Sequence, residues 1–163
     1  MRIAAAALIA ATLLVGIPLG NRNTELRKTY GYAFPDLQNA RDPEVAKSIL
    51  TQWHARGADA AIGNTMQRDL LFALCYAPLL ALLAAAARKP RPTRWVRLAG
   101  ALAAGAAVVG GLADLAENAT MLTMLGDPSL ASRVTTMVLF TQMKLAGATI
   151  AALYIMLAHL DWS

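Results

Sequence analysis

The sequence is poor in residues that bind metals or form disulfides. Among its 163 residues there are one cysteine, Cys75, and two histidines, His54 and His159. A single cysteine excludes an intramolecular disulfide, and the two histidines lie far apart in the chain, which argues against a haem or zinc centre. We therefore predict no metal site and no cofactor.

Sequence motifs of several enzyme classes are also missing. The chain contains no glycine-rich phosphate loop, no nucleophile elbow, no His-x-x-Glu-His and no dinucleotide-binding fingerprint. The sequence therefore gives no support for nucleotide phosphate binding, serine-hydrolase chemistry, zinc-protease chemistry or dinucleotide binding.

Charged residues are scarce as well. They make up 15% of the chain, whereas 57% is hydrophobic, against ~45–50% in soluble domains. Four apolar runs reach the ~20 residues of a spanning helix. They predict an all-α integral membrane four-helix bundle, a single domain over residues 1–163, with membrane lipid as its main partner and with spans at about 3–20, 69–87, 96–125 and 134–158.

The first run could also be a secretory signal peptide, since Arg2 precedes an Ala/Leu-rich stretch. No small-residue cleavage site of the A-x-A type follows it. We expect a retained anchor.

The positive charge is concentrated in one loop, "RKPRPTRWVR", whose basic residues are Arg88, Lys89, Arg91, Arg94 and Arg97. Positively charged loops stay in the cytoplasm, so we expect a bacterial inner-membrane protein with both termini cytoplasmic and an outer segment at residues 21–65. The loop has two prolines and no helical stripe, so anionic lipid explains it better than nucleic acid does, and no nucleic-acid partner is predicted.

The outer segment contains one clear helix signal, "RDPEVAKSILTQWHARG". Asp42 suits the N-cap, Pro43 the first helical position and Gly57 the end, which predicts a helix from about 43 to 56. Val45, Ile49 and Trp53 recur at four-residue steps. The helix is therefore amphipathic and suited to lie on the membrane or to cap the bundle.

Polar residues inside the spans are the candidate functional residues. Asp114, Glu117 and Asn118 lie three and four residues apart, so they share one face of the third span. Counting ~1.5 Å per residue from the outer ends places Lys144 of the fourth span at a similar depth. Because charged groups in a bilayer pair with one another, we predict that Lys144 pairs with Asp114, Glu117 or both.

Further polar residues lie near this group. Tyr76 of the second span could reach it with its hydroxyl, and Thr141 and Gln142 add polar groups on the fourth span. Arg68 and Asp69 are interpreted as the outer end of the second span. One ammonium cannot neutralise two carboxylates, and a proton on one acid, a cationic ligand or an ion would each balance the surplus charge.

Two resemblances involve these motifs. The order of "EVAKSILTQW", "RDLLFALCYAPLL", "DLAEN" and a lysine in the last span resembles a group of small bacterial four-helix membrane proteins of uncharacterised activity, which implies fold and location only. The topology is similar to the EXPERA domain, where intramembrane acids serve a lipid-like cationic ligand. Here the first span has no acid, and that role would fall on Asp114 and Glu117.

Three functions are left open. The first is a structural or accessory membrane protein in which the Asp/Glu/Lys group fixes helix register. The second is a lipid- or isoprenoid-binding protein or an isomerase/cyclase-like enzyme with Asp114 and Glu117 as catalytic acid and base, acting on an apolar small molecule. The third is a proton or cation pathway. Assembly as a homo-oligomer or in a larger complex is compatible with all three.

Overall fold

Four long helices and three short ones account for most of the chain in the computed structural model, which describes residues 2–87 and 93–159. The predicted all-α bundle is confirmed. In chain order the elements are α1 (Arg2–Tyr30), α2 (Phe34–Gln38), α3 (Pro43–Ala55), α4 (Asp59–Ala86), α5 (Arg94–Gly126), a 3-10 helix (Pro128–Arg133) and α6 (Val134–His159).

Each of the four long helices is long and apolar enough to cross a membrane, so the chain is a membrane protein. They are longer than a bilayer requires. The 33 residues of α5 extend about 50 Å, against a hydrocarbon thickness of ~30 Å. Two helices also exceed their predicted spans: α1 continues past residue 20 to Tyr30, and α4 begins at Asp59 rather than at residue 69.

The long helices pack in the order α1, α4, α5 and α6, and α6 also touches α4. Among the long helices, α1 packs mainly along α4. Its side chains in the predicted span, such as Leu13, Leu14 and Ile17, are exposed and therefore face lipid. The compact part of the membrane bundle is the group of three helices α4, α5 and α6.

At one end of the bundle, α2, α3, the 3-10 helix and the adjoining ends of the long helices enclose an apolar core. We call this end the cap. Its fully buried side chains include Leu37, Leu50, Trp53, Met66 and Met121. Of the two arrangements predicted for the amphipathic helix, α3 therefore adopts the one that caps the bundle.

Local signals explain α3 well. Asp42 is its N-cap, with the carboxylate accepting a hydrogen bond from the Glu44 amide at 2.7 Å, and Pro43 opens the helix. Gly57 follows with φ +65°, a conformation that favours glycine. The predicted helix is confirmed, and Ile49 and Trp53 of its apolar face are buried, whereas Val45 is exposed.

The corner between α1 and α3 is fixed by directed contacts. Gly31 ends α1 with φ +86°, and Arg27 reaches across the turn to Asp36 at 2.6 Å. The Trp53 indole donates to the Tyr32 carbonyl at 3.1 Å. Residues 34–36 form the first turn of α2.

Candidate functional site

Polar side chains gather where α4, α5 and α6 meet, one helical turn beneath the cap core. Three core methionines, Met66, Met121 and Met137, each lie three or four residues from a member of this group. Its acids and amide are nearly inaccessible, with exposed fractions of 7% or less. We call the group the polar cluster; it consists of Asp69, Tyr76, Asp114, Glu117, Asn118, Thr141 and Lys144.

Lys144 pairs with both predicted acids. Its Nζ lies 3.0 Å from Asp114 Oδ1 and 2.5 Å from Glu117 Oε2. The two acids are nearly one turn apart on α5 and share a face, so one ammonium on α6 reaches both. The α5–α6 pair is therefore bridged by one cation between two anions.

Close approach of the two helix backbones makes this bridge reachable. At the crossing, a Cβ added to Gly147 would collide with the Ala106 carbonyl oxygen, and one added to Gly110 would lie 3.1 Å from the Lys144 carbonyl oxygen. Small residues allow such contact between helices in a membrane. The surfaces of α5 and α6 that meet are therefore those that carry Gly110 and Gly147.

Asp114 is the centre of the polar cluster. Its carboxylate accepts hydrogen bonds from the Tyr76 hydroxyl at 2.9 Å and from Asn118 Nδ2 at 3.1 Å, in addition to Lys144. The three donors come from α4, α5 and α6, one from each. The sequence analysis considers that the Tyr76 hydroxyl could reach this group, and the hydrogen bond to Asp114 shows that it does.

Glu117 lies on the α6 side of the cluster. Its Oε1 accepts a hydrogen bond from the Thr141 hydroxyl at 2.7 Å. Its Oε2 forms an ion pair with Lys144, but the angles of this contact are not those of a hydrogen bond. Two side chains of α6, one turn apart, therefore hold this carboxylate.

Asp69 is a member that the sequence interpretation missed. The sequence pattern assigns Asp69 to the outer end of the second span. In the structure α4 begins at Asp59, which places Asp69 almost three turns inside the helix. Its carboxylate is buried and accepts a hydrogen bond from Asn118 Nδ2 at 2.8 Å. A helical stripe of Ile62, Met66, Asp69 and Ala73 was the available signal.

Gln142 is the reverse case, because it was predicted to add to the polar group and does not. Its side chain is exposed, whereas Lys144 points into the cluster. Residues two apart on a helix face nearly opposite directions, so the two cannot share one face. The prediction for Gln142 is wrong for this reason.

The charges of the cluster do not balance. Asp69, Asp114 and Glu117 supply three carboxylates, and Lys144 supplies one ammonium. The neighbouring Arg68 is exposed and points away. The buried amide oxygen of the cluster, Asn118 Oδ1, has no hydrogen-bond donor and no ion-pair partner. Fully ionised, the cluster would carry a surplus of two negative charges and one unsatisfied amide oxygen.

Three recesses lie elsewhere on the described surface. A groove of about 500 Å³ between α4 and α5 is wholly apolar, with Ala73, Ala77, Gly111 and Leu115 on the side nearest the cluster. A second, of about 430 Å³, lies at the end opposite the cap beside Trp95 and Tyr154, and a third, of about 400 Å³, lies on the surface of α3. None of the three is lined by a carboxylate of the cluster.

The arrangement suits ionic bridging and proton exchange, since it joins carboxylates, hydroxyls and an ammonium. Acid–base catalysis needs a reacting atom within hydrogen-bond reach of the acids, and none of these recesses brings a ligand there. Within residues 2–87 and 93–159, no group of three or more His, Cys, Asp or Glu side chains is placed to hold a metal ion. Comparisons of the chain with family models, curated proteins and solved structures find no match.

Proposed function

We propose that the chain is a structural or accessory membrane protein in which the polar cluster fixes how α4, α5 and α6 pack beneath the cap. The observation that carries this proposal is the bridge from Lys144 to both Asp114 and Glu117, which is buried between helices and reached by none of the three recesses. Buried polar groups of this kind can specify one register among several apolar alternatives.

The energetics of insertion support a structural role. A charged side chain within the bilayer costs ~2.5–3.5 kcal/mol on insertion scales, and such groups therefore face inward and pair. Lys144 and Asp114 satisfy each other only when α5 and α6 are in one relative position, at the Gly110–Gly147 crossing. A slip of one helix along the other would leave charges unpaired in lipid.

We further propose that the cap lies on the outer side of a bacterial inner membrane and that both termini are cytoplasmic. Arg94 and Arg97 are exposed on the first turn of α5, at the end opposite the cap, and a basic end favours the cytoplasm. The other basic residues of that loop, Arg88, Lys89 and Arg91, lie outside the described residues. The cap carries both signs of charge.

A pathway across the membrane is less well supported. On the cap side, the cluster lies directly beneath an apolar core. On the other side, α5 carries no titratable residue between Arg97 and Asp114, and α6 none between Lys144 and Tyr154. The relay of polar groups that a conducted proton needs is missing from this described part of the seam.

Reconstitution into liposomes tests the accessory role against a pathway. Proton flux driven by an imposed pH gradient would be followed with an entrapped dye for the wild type, Asp114→Asn and the matched control Glu44→Gln, whose acid is exposed on the cap. Flux equal to that of protein-free liposomes is expected in all three. Flux that Asp114→Asn abolishes and Glu44→Gln keeps would overturn the accessory role.

The groove between α4 and α5 favours a second candidate, binding of a lipid or isoprenoid chain. Its apolar lining and its volume of about 500 Å³ suit such a chain. Because no carboxylate of the cluster lines it, the groove supports binding rather than isomerase or cyclase chemistry.

Lipid retention tests this candidate. Ala81→Phe should fill part of the groove, and Leu139→Phe is a control on an exposed face of α6. Native mass spectrometry of each variant released from detergent would count bound lipid. The candidate requires loss of a retained lipid in Ala81→Phe alone, and equal retention in both variants rules it out.

A further inference from the structure

We propose that the polar cluster is a proton-binding site in which Asp69 carries an exchangeable proton and the Asn118 amide turns over when the proton is bound. Two independent observations lead to it: the surplus of carboxylates over ammonium groups, and the buried Asn118 oxygen that lacks a donor. The site adds to the proposed structural role and does not depend on it.

Asp69 is the acid with the least compensation. Asp114 and Glu117 both contact Lys144, whereas the hydrogen bond of the Asp69 carboxylate comes from the neutral Asn118 amide. Asp69 is also the most accessible of the three acids, with 7% of its surface exposed against 2% for Asp114 and none for Glu117.

The charged and titratable groups around Asp69 favour a proton there. From α5 it faces Asp114 and Glu117, from α6 Lys144, and on its own helix Tyr76, which donates to Asp114. Helix α1, which also packs along α4, carries no charge from residue 3 to residue 21. Two anions against one cation, in a buried site, disfavour a third negative charge.

Asn118 connects the proton to a change of geometry. Its Nδ2 has two hydrogens but lies near three acceptors: Asp69 Oδ2 at 2.8 Å, the Asp114 carbonyl at 3.0 Å and Asp114 Oδ1 at 3.1 Å. Its Oδ1 accepts nothing. This orientation suits an ionised Asp69, because the amide donates to a carboxylate.

Protonation reverses the roles of Asp69 and Asn118. A proton taken from water forms an O–H bond on the Asp69 carboxylate, which lowers the surplus charge of the cluster from two to one. The amide then turns about its last bond, so that Oδ1 accepts from the new Asp69 hydroxyl and finds the donor it lacks. The turn breaks the hydrogen bonds from Asn118 Nδ2 to the Asp114 carbonyl and carboxylate, whereas Asp114 keeps those from Tyr76 and Lys144.

Infrared difference spectroscopy of the purified protein, titrated with acid and base, tests the site. The carbonyl stretch of a protonated carboxylic acid should be present in the wild type near neutral pH and absent from Asp69→Asn. Asp36→Asn is the matched control, because Asp36 is half-buried on the cap and paired with Arg27. A neutral-pH band that persists unchanged in Asp69→Asn overturns the assignment.

A second measurement does not depend on the folding of a variant. Wild-type protein labelled with ¹³C at aspartate carboxyls should show one carboxyl resonance in the protonated range near neutral pH, and its absence contradicts the proposal. Repeating both experiments in sodium and in choline chloride separates a proton from a metal cation. Signals that are the same in both salts support a proton site, and a protonated signal that sodium removes means that a metal cation competes, which overturns a site specific for protons.

Discussion

The cap core and the polar cluster are neighbours, one turn apart along α4, α5 and α6, and are held together in opposite ways. In the cap, Trp53, Leu37 and Leu50 are fully buried among apolar neighbours. One turn deeper, Lys144 bridges Asp114 and Glu117. Apolar burial stabilises a fold only where the alternative is water, whereas helices in lipid associate through close packing and polar contacts. We infer that the change in chemistry marks the boundary between water and lipid.

Helix α1 shows the same contrast within one element. Leu26, near its cap end, is 1% exposed, whereas Leu14 in the membrane segment is 75% exposed. The hydrophobic effect favours burial of Leu26 in the cap core, whereas Leu14 has no such driving force because it is surrounded by lipid. We infer that α1 is held in place mainly by the cap and by its line of contact with α4.

The largest expected effect comes from breaking the charge bridge. Lys144→Met leaves buried carboxylates without their cation and should lower the free energy of unfolding by ~3–5 kcal/mol. Adding Glu117→Gln removes one of the stranded charges and should restore part of that loss. Unfolding in mixed detergent micelles, followed by circular dichroism, measures both.

Lys47→Met, on the exposed face of α3, is the control for the removal of a lysine and should change little. The comparison of cap and cluster fails if the variant with both Lys144→Met and Glu117→Gln is no more stable than the sum of the two single losses predicts. The side chains of Lys144 and Glu117 would then act independently.

A comparable but local effect is expected in the cap. Trp53→Ala removes a fully buried indole and its hydrogen bond to the Tyr32 carbonyl, and truncations of this kind destabilise by ~3–5 kcal/mol. Limited proteolysis should then cleave residues 31–58 while the α5–α6 pair stays protected. Trp95→Ala, at a site 72% exposed, is the control, and equal cleavage of both variants would show that the cap is not held by its apolar core.

The features that the sequence predicts correctly are those with a local or periodic signal. Asp42, Pro43 and Gly57 mark the ends of α3, and hydropathy marks four spans. The pairing of Lys144 follows from depth and from the high cost of an unpaired charge in lipid. Each of these signals can be interpreted without knowing which elements touch.

The features that it misses depend on where a helix ends and on which way a residue faces. Hydropathy reports where lipid begins, so it assigns the polar residues 21–30 and 59–65 to the outer segment, although both stretches are helical. That error placed Asp69 at a helix end. Because Gln142 is polar, it is predicted to face the cluster. It lies two residues from Lys144 on α6, however, and its side chain therefore faces the opposite side of the helix.

A smaller effect tests the packing that brings the charges together. Gly147→Ala puts a methyl group against the Ala106 carbonyl and should destabilise by ~1–3 kcal/mol through separation of α5 and α6. Gly105→Ala is the matched control, since its Cβ would have nothing within 4 Å; it should be neutral or stabilise by ~0.5–1 kcal/mol. The same unfolding assay measures both, and equal results would show that the close crossing is not required.

The smallest expected effect lies on the cap and concerns its acid stability. Asp127 is the N-cap of the 3-10 helix, with its carboxylate accepting a hydrogen bond from the Ser129 amide at 2.9 Å. Hydrogen bonds from the Ser129 side chain and backbone lower the pKa of Asp127 below its ordinary value. A carboxyl with a lowered pKa in the fold stabilises it above the ordinary pKa of ~3.9, and that contribution is lost as the pH falls through the lowered value.

In Asp127→Asn, the melting temperature should therefore fall less steeply as the pH is lowered into the acid range. Near neutral pH the melting temperature should be nearly unchanged, because asparagine also caps helices well. Thermal unfolding of both proteins between neutral and strongly acidic pH measures it. The polar cluster should be unaffected, because Asp127 is exposed and forms no hydrogen bond with any of its members. An acid limb identical in the two proteins would assign the acid sensitivity to groups other than this cap residue.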